Sequence, residues 1–252
     1  MSRIIWLVGA SSGIGKSLID ELVKDAETLY ISARSKDKLA DLAQAYQNVY
    51  ALPLDITDPA ARATAISEIT ERSGRVDWLV LNAGTCEYVD VAAEHIDLGM
   101  YQRVMDTNFL GPVALTHEAM PLLHQSDDAR LIGISSSVTF TPLPRAQSYG
   151  ASKAAFTYWL GTMATDVKHQ GNRVQVVSPG FVDTPLTQRN DFDMPFMISS
   201  ENAARRIAHG IRHRQTHTHF PKRFTMLLQL ERLLPLSWQY FLNSKLSRLK
   251  KS

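Results

Sequence analysis

Tyr149 and Lys153 are the pair of residues in this sequence whose spacing best suits acid–base chemistry. They are separated by Gly-Ala-Ser and fall in a segment, residues 149–169, that is predicted to be helical. On a helix, residues i and i+4 share one face. A nearby ammonium stabilises a phenolate and lowers a tyrosine pKa from about 10 towards neutrality. Such a tyrosine can protonate an alkoxide or deprotonate an alcohol, although this spacing alone is common by chance.

Two other polar features fall where they can assist this pair. Ser135, Ser136 and Ser137 close a predicted strand over residues 130–135, and a serine there can hydrogen-bond a substrate oxygen. Asn108 lies in the middle of a predicted helix over residues 98–123, where asparagine is a poor helix former. A buried asparagine must find partners, and it could hold a water that passes protons to Lys153.

Strand and helix patterns alternate along the chain and must position these groups. Short apolar segments predict strands over residues 4–8, 28–32, 49–54, 76–81, 130–135 and 173–177, with a short seventh near 218–220. Helical spacing of apolar residues predicts one helix that begins near residue 14 and further helices over residues 36–46, 60–72, 98–123 and 149–169. This alternation predicts an α/β fold: a single-domain, doubly wound, Rossmann-type parallel sheet of about seven strands with helices on both faces.

A glycine-rich turn follows the first predicted strand and opens the first helix. Glycines let the backbone approach a pyrophosphate, and the helix N-terminus offers free N–H groups. The alternative is a plain strand-to-helix turn. The candidate dinucleotide-binding residues of this turn are Gly9, Ser11, Ser12, Gly13, Ile14 and Gly15.

The end of the second strand bears on the choice of cofactor. NAD enzymes usually carry an acid there that binds the ribose 2′-hydroxyl, and this chain has none. Arg34 can instead contact a 2′-phosphate, and Ser35 can add a hydrogen bond. We therefore expect NADP(H) in preference to NAD(H), the alternative being that Arg34 is an ordinary surface arginine.

The next two strand ends complete the candidate cofactor site. Asp55, followed by Ile56, could accept a hydrogen bond from an adenine amino group or could cap the next turn. Asn82, Ala83 and Gly84 end the fourth strand beside the glycine-rich turn, where small residues let a ribose lie against the backbone.

With these motifs in order, the chain resembles the short-chain dehydrogenase/reductase family in its form of about 250 residues. Residues 9–15 resemble that family's glycine motif, and residues 82–84 its Asn-Ala-Gly. The likeness is continuous over residues 4–184, although Val8, Leu81 and the segment after residue 216 depart from the family pattern. The likeness includes the family's Asn-Ser-Tyr-Lys tetrad, which falls here at Asn108, Ser136, Tyr149 and Lys153. It also includes the family's proline-glycine motif, which falls at Pro179, Gly180, Val182 and Thr184.

The resemblance implies a role for each member of the tetrad. Tyr149 would be the acid/base, and Lys153 would bind the nicotinamide ribose and depress the tyrosine pKa. Ser136, thirteen residues before the tyrosine, would hold the substrate oxygen, and Asn108 would support a proton relay. The residues of the proline-glycine motif would line the nicotinamide.

The resemblance also implies how the chain is organised. A catalytic domain would cover residues 1–222, with a substrate lid at about residues 185–200. The C-terminal part departs from the family pattern, and the spacing of the residues over 223–252 itself predicts a helical extension of the same domain. A homodimer or homotetramer would form through the helices that hold Asn108 and Tyr149. The substrate would be a small carbonyl compound or alcohol.

Composition excludes other classes of function. The 252 residues carry a formal charge of only +2 with the basic residues spread along the chain, so we expect no nucleic-acid partner. One cysteine, Cys86, and no long apolar segment favour a cytoplasmic protein. The histidines at 209, 213, 217 and 219 have no carboxylate or cysteine beside them, so we expect no metal.

Two segments leave alternatives open. Apolar residues at 140–144 and 192–197 suggest a pocket for an apolar substrate, or ordinary core packing. The tail after residue 223 predicts two short amphipathic helices broken at Pro235, with Lys245, Arg248, Lys250 and Lys251 following. These helices could cover the pocket, pack in an oligomer or lie on a membrane, and we favour the two packing interpretations. A non-catalytic NADP(H)-binding sensor or a membrane-surface scaffold on the same fold is the alternative function.

Overall fold

The computed structural model describes residues 3–88, 96–167, 173–190 and 192–246. The predicted end of the helix at residue 169, position 191 of the lid, and Arg248, Lys250 and Lys251 of the tail lie outside the described residues. The strands are β1 Arg3–Val8, β2 Ala26–Ser32, β3 Val49–Ala51, β4 Trp78–Leu81, β5 Arg130–Ile134, β6 Arg173–Pro179, β7 Val182–Asp183, β8 Ile198–Ser199 and β9 His217–Phe220.

Seven strands form one sheet in the order β3-β2-β1-β4-β5-β6-β9, and every neighbouring pair is parallel. The predicted doubly wound fold is therefore confirmed. The strand order reverses between β1 and β4, and ligands of such sheets bind at the carboxyl ends beside that reversal. The helices are α1 Gly13–Leu22, α2 Lys36–Gln44, α3 Pro59–Ser73, α4 Leu98–Met105, α5 Gly111–His124, α6 Gln147–Asp166, α7 Ser200–Arg212, α8 Lys222–Glu231 and α9 Leu236–Ser244.

Alternate residues of each strand enter two separate cores, one on each face of the sheet. In β1, Trp6 packs on one face with Leu131 and Phe156, whereas Leu7 packs on the other with Leu18 and Ile207. Because helices cover both faces, these strands are apolar at nearly every position. The core therefore needs the continuous apolar segments from which the strands are predicted.

The boundaries differ from the predicted ones where polar or turn residues intervene. β3 ends at Ala51 rather than at residue 54, and β4 begins at Trp78 rather than at residue 76. The predicted helix over residues 98–123 is interrupted by a π-helical turn, Asp106–Leu110. A short additional pair, β7 with β8, joins the two ends of the predicted lid.

The tail forms two helices separated by Pro235. Phe224 and Leu228 of α8 are buried against Phe140 and Phe181, which lie beside the carboxyl ends of β5 and β6. The tail is thus packed against the sheet edge where a ligand would bind.

A buried carboxylate ties the amino ends of β1 and β4 together. Asp77 accepts a hydrogen bond from the backbone N–H of Ile4 at 2.7 Å and another from the hydroxyl of Ser126. Its side chain is buried. Removing this acceptor would leave the Ile4 N–H without a partner in the interior.

We expect Asp77→Ala to lower the free energy of unfolding by about 1–3 kcal/mol, the usual cost of a buried, unsatisfied polar group. Urea denaturation measures this directly. Asp77→Asn keeps an acceptor oxygen for Ile4 and is the matched control, expected to lose clearly less. Equal losses in the two variants would contradict this role of Asp77.

Candidate active site

The glycine-rich turn lies where backbone segments come too close for side chains. Gly9 has φ +92°, and a Cβ on it would lie 2.6 Å from the Ala83 Cα. Gly15 is packed so tightly that a Cβ would lie 2.6 Å from Asn82 Nδ2. These two glycines let the turn between β1 and α1 rest directly on the segment that follows β4.

Hydrogen bonds hold this turn in place. Asn82 Nδ2 donates to the Gly9 carbonyl at 2.7 Å, and the Gly9 N–H donates to Ser32 O at 2.7 Å. Ser12, the N-cap of α1, makes no side-chain capping bond. The first N–H groups of α1 are therefore available to an anionic ligand, as a dinucleotide pyrophosphate requires. Ser11 in this turn and Ile14 at the start of α1 are both partly exposed.

Arg34 is exposed between β2 and α2, beside Ser35, which is the N-cap of α2. Burial raises the pKa of Asp55, but hydrogen bonds from Thr57 and the nearby Arg34 charge outweigh it and lower that pKa below its ordinary value. Asp55 Oδ1 accepts from Thr57 N at 3.0 Å and from Thr57 Oγ1 at 2.7 Å, so it does cap the next turn. Ile56 is buried in the core.

The Tyr149 side chain meets one of the three serines. The Ser136 side chain lies close enough to the Tyr149 hydroxyl to lower its pKa, and the Ser136 hydroxyl accepts a hydrogen bond from Val138 N at 3.2 Å. The Ser135 hydroxyl hydrogen-bonds Thr157 Oγ1 at 2.6 Å, and Ser137 is buried. Of the three serines, Ser136 is thus the one in contact with the tyrosine.

Lys153 carries its ammonium into the interior, with 4% of the residue exposed. Nζ donates to the Ile134 carbonyl at 2.9 Å. A Cβ on Gly84 would lie 3.3 Å from Nζ and 3.3 Å from Asn108 Oδ1. The glycine therefore leaves open the space between the lysine and the asparagine.

Asn108 is fully buried in the π-helical turn and makes three hydrogen bonds. Its Oδ1 accepts from Thr85 N at 2.8 Å, and its Nδ2 donates to Thr85 O at 2.9 Å and Ser152 Oγ at 2.9 Å. Each polar atom of the side chain thus has a protein partner. The π turn, a frequent feature of functional sites, aims the asparagine at the segment after β4.

The structure does not show the lowered Tyr149 pKa that the sequence predicts. Burial raises that pKa above its ordinary value, the neighbouring Cys86 adds to the rise, and the nearby Ser136 side chain only partly offsets it. Lys153 is not among the groups that shift the Tyr149 pKa, and burial lowers its own pKa to about 8. The site therefore favours a neutral, protonated Tyr149.

Two site residues were missed by the sequence analysis, both in the loop after Gly84. Tyr88 lies close enough to Cys86, to the lid residue Asn190 and to Tyr149 for each of them to influence its pKa. Burial raises the pKa of the Cys86 thiol to about 11, so the thiol is neutral. The sequence did offer one signal for Tyr88 and Cys86, because both follow shortly after the carboxyl end of β4, where ligands of such sheets bind.

Aromatic side chains form a wall between this loop, the lid and α8. Phe192 of the lid packs edge-on against Tyr88 at 5.7 Å and against Phe181 at 6.1 Å between ring centres. Phe224 of α8 stands 5.3 Å from Phe181 and 6.2 Å from Phe196. Phe140, predicted as a pocket wall, is instead buried against Phe224 and beside the histidines of β9.

The proline-glycine motif lies between the glycine-rich turn and the tail. A Cβ on Gly13 would lie 2.9 Å from the Thr184 side chain, and one on Gly180 would lie 2.9 Å from Phe224. Pro179 ends β6, and Val182 is buried at the start of β7. The motif thus connects the predicted cofactor site to the aromatic wall.

The histidines form two separate pairs. His209 and His213 stack along α7 with ring centres 3.9 Å apart, whereas His217 and His219 lie on β9 and bond Ser178 and Thr225. Within the described ranges, no group of three His, Cys, Asp or Glu side chains could hold a metal ion.

This chain is similar to short chain dehydrogenases. The short chain dehydrogenase family model matches residues 3–194. The 11-beta-hydroxysteroid dehydrogenase 1A of Arabidopsis thaliana is 29% identical over 92% of this chain and 72% of its own length. Sulfoacetaldehyde reductase 2 of Chromohalobacter salexigens is 31% identical over 74% of this chain and 75% of its own length.

A solved structure has the same fold. The crystal structure of a short chain dehydrogenase from Burkholderia cenocepacia in complex with NADP superposes with a TM-score of 0.83. The two chains are 22% identical, and the match covers 96% of this chain and 97% of that one. At this identity the likeness concerns the fold alone.

The buried ammonium of Lys153 has a measurable cost for the free protein. The unfolded chain holds this proton up to its ordinary pKa of 10.5, whereas the folded chain releases it at about 8. Between these values the unfolded state binds more protons, so stability rises with pH there. Below pH 8 the burial penalty is present in full.

We therefore expect Lys153→Met to be more stable than wild type by about 1–3 kcal/mol at pH 7 without nucleotide. The difference should shrink as the pH rises from 8 towards 10.5. Urea unfolding at several pH values checks both parts. Lys38→Met, at an exposed position of α2, is the control and should show no such trend. A Lys153→Met protein less stable than wild type at pH 7 would refute the argument.

Proposed function

Since the chain belongs to the short chain dehydrogenase family, we propose that it is an NADP(H)-dependent reductase that uses Tyr149 as its acid/base. Oxidoreductases of this family act on alcohols and carbonyls. The observation that carries the proposal is the proximity of Tyr149 to Ser136. Lys153 and Asn108 lie nearby, on either side of the space that the absent side chain of Gly84 leaves open. When bound, the dinucleotide would supply or accept the hydride at its nicotinamide ring.

The proton that reduction of a carbonyl needs would come from Tyr149. A tyrosine whose pKa is raised by burial keeps its proton at neutral pH and can donate it to a carbonyl oxygen. The Ser136 hydroxyl orients that oxygen beside the tyrosine. Lys153, with a pKa of about 8, stays mostly charged at pH 7 and favours negative charge nearby. Asn108, held by Thr85 and Ser152, is a positioning residue for the Gly84 segment.

The chemistry of the cofactor cradle suits a dinucleotide with a 2′-phosphate. Gly9 and Gly15 have no room for side chains, and the N-terminus of α1 is uncapped. Arg34 is exposed at the end of β2, beside a carboxylate that already bonds Thr57. Its guanidinium can therefore pair with a phosphate.

The substrate we propose is apolar apart from its carbonyl and one hydrogen-bond donor that would lie beside Asn190 of the lid. Tyr88, Phe181 and Phe192 supply an aromatic wall beside Tyr149. Asn190 Oδ1 is buried without a hydrogen-bond partner, while its Nδ2 stands 3.2 Å from Met194 Sδ. A donor on the substrate would satisfy that oxygen.

We also propose a homodimer or homotetramer through α5 and α6, as family members commonly form. Leu110, at the junction of the π turn with α5, is exposed and available to such an interface.

Cofactor preference is tested by titrating NADPH and NADH and following nucleotide fluorescence. We expect wild type to bind NADPH more tightly, and Arg34→Ala to weaken NADPH by about 10- to 100-fold, the worth of a charge-assisted hydrogen bond. NADH should change less than about threefold. Lys38→Ala removes a nearby exposed charge and should change neither. Wild type that binds NADH as well as NADPH would overturn the assignment, and binding of neither would favour a non-enzymatic protein.

The acid/base role is tested with Tyr149→Phe in a screen of aromatic and aliphatic ketones with NADPH. We expect kcat to fall by about 10²–10⁴-fold, the usual contribution of a general acid. The NADPH dissociation constant should change less than about threefold, since the ring remains. Tyr158→Phe, on the exposed side of the same helix, is the control. Turnover that survives in Tyr149→Phe would assign the proton to another group.

A further inference from the structure

Helix α9 presents its apolar side chains to the surroundings and its polar ones to the protein. Its buried residues are Gln239 and Asn243, at 4% and 6% exposed. Trp238 and Phe241 are each 61% exposed. A surface helix of a globular protein normally has the opposite arrangement. The arrangement in α9 is typical of a helix whose outer face meets an apolar medium.

Hydrogen bonds fix this orientation. Asn243 Nδ2 donates to Glu231 Oε1 at 2.6 Å and to Thr141 Oγ1 at 2.9 Å, and Thr141 donates to the same carboxylate oxygen at 2.8 Å. Gln239 Nε2 donates to Leu234 O at 2.8 Å. Rotating α9 to bury its aromatic side chains would break each of these bonds. The outward apolar face is therefore built into the packing of the tail.

The exposed apolar surface continues onto α8 and the turn that joins the helices. Leu233, in that turn, is 80% exposed. Patches of this kind on soluble proteins mark sites of interaction. We define the tail face by its exposed apolar residues, which are Met226, Leu227, Leu230, Leu233, Leu234, Leu236, Trp238, Tyr240, Phe241, Leu242 and Leu246.

The exposed charged residues of the described part of the tail, residues 222–246, are all basic. Glu231 is the only acid after residue 222, and it points inward to Asn243 and Thr141. The exposed charged residues from 222 to 246 are Lys222, Arg223, Arg232 and Lys245, and the sequence continues with Arg248, Lys250 and Lys251. Lys245 Nζ lies 4.9 Å from the Phe241 ring, so its charge sits at the border of the apolar surface.

These basic residues distinguish between the two partners that could cover the tail face, namely a second copy of the chain and a lipid bilayer. A second copy docked by two-fold symmetry would bring one basic rim against another, which is unfavourable. Anionic lipid headgroups would attract each of these positive charges. Tryptophan and tyrosine are also the residues that prefer the membrane–water interface. Among the described helices none is long and apolar enough to cross a membrane, so the contact would be peripheral.

We propose that the tail face is a peripheral attachment site for an anionic phospholipid bilayer, with α8 and α9 lying in the headgroup layer. The opposite side of α8 carries Phe224, which packs on Phe181 and Phe196 of the aromatic wall. Attachment would thus hold the lid near the bilayer, where apolar substrates accumulate. That consequence rests on the proposed reductase function, whereas lipid binding itself does not.

Flotation of the full-length protein with vesicles tests the proposal. We expect at least about tenfold more protein bound to vesicles of phosphatidylcholine with 30% phosphatidylglycerol than to phosphatidylcholine alone, and a loss of binding as salt rises from about 0.1 to 0.5 M. Trp238→Ser/Phe241→Ser should lower binding at least about tenfold, because it removes two interfacial aromatics. Replacing Lys222, Arg223, Arg232 and Lys245 by Gln should abolish the preference for anionic vesicles.

The matched control is Ile96→Ser/Leu98→Ser, which changes two exposed apolar residues outside the tail. It should bind vesicles as wild type does. NADPH titration of every variant shows that each is folded and keeps lipid binding separate from the proposed activity. Absence of wild-type binding to anionic vesicles would overturn the proposal. So would light scattering that shows a dimer which Trp238→Ser/Phe241→Ser dissociates while vesicle binding persists unchanged.

Discussion

The buried ammonium of Lys153 constrains most of the structure around it. A charge that is 4% exposed and bonded to a single backbone carbonyl is unfavourable in a protein interior. The surroundings are therefore arranged to leave space and polar atoms beside Nζ rather than to pack against it. Gly84 provides that space, since any side chain there would approach both Nζ and Asn108 Oδ1.

The same constraint explains the π-helical turn. An ordinary helix from α4 into α5 would direct Asn108 differently, whereas the extra residue of the π turn brings its amide to Thr85 and Ser152. Ser152 belongs to α6, the helix that carries Tyr149 and Lys153. The amide therefore joins the segment after β4 to the helix of the acid/base pair. The polar interior that results costs stability, which is the usual balance between stability and activity at a catalytic site.

The sequence predicted the elements and their order because strands buried on both faces are continuous apolar segments and helices have their own period. It also indicated Asn108, since an asparagine in a long helix needs an explanation. It could not predict the π turn, which depends on partners in the segment after β4. Nor could it predict that Tyr149 stays protonated: spacing on a helix places an ammonium near a phenol but does not reveal how much burial opposes both charges.

The tail shows a second limit of pattern analysis. Periodicity predicts an amphipathic helix in α9, but the usual assumption that its apolar side faces inward is wrong here, because Thr141 and Glu231 offer polar partners to Asn243. The tail, which consists of α8 and α9, thereby has two surfaces with different roles. The inner side of α8 is pressed so closely on Gly180 that a Cβ there would lie 2.9 Å from Phe224. A displacement of the tail would consequently also displace the segment around Gly180, which is proposed to line the nicotinamide.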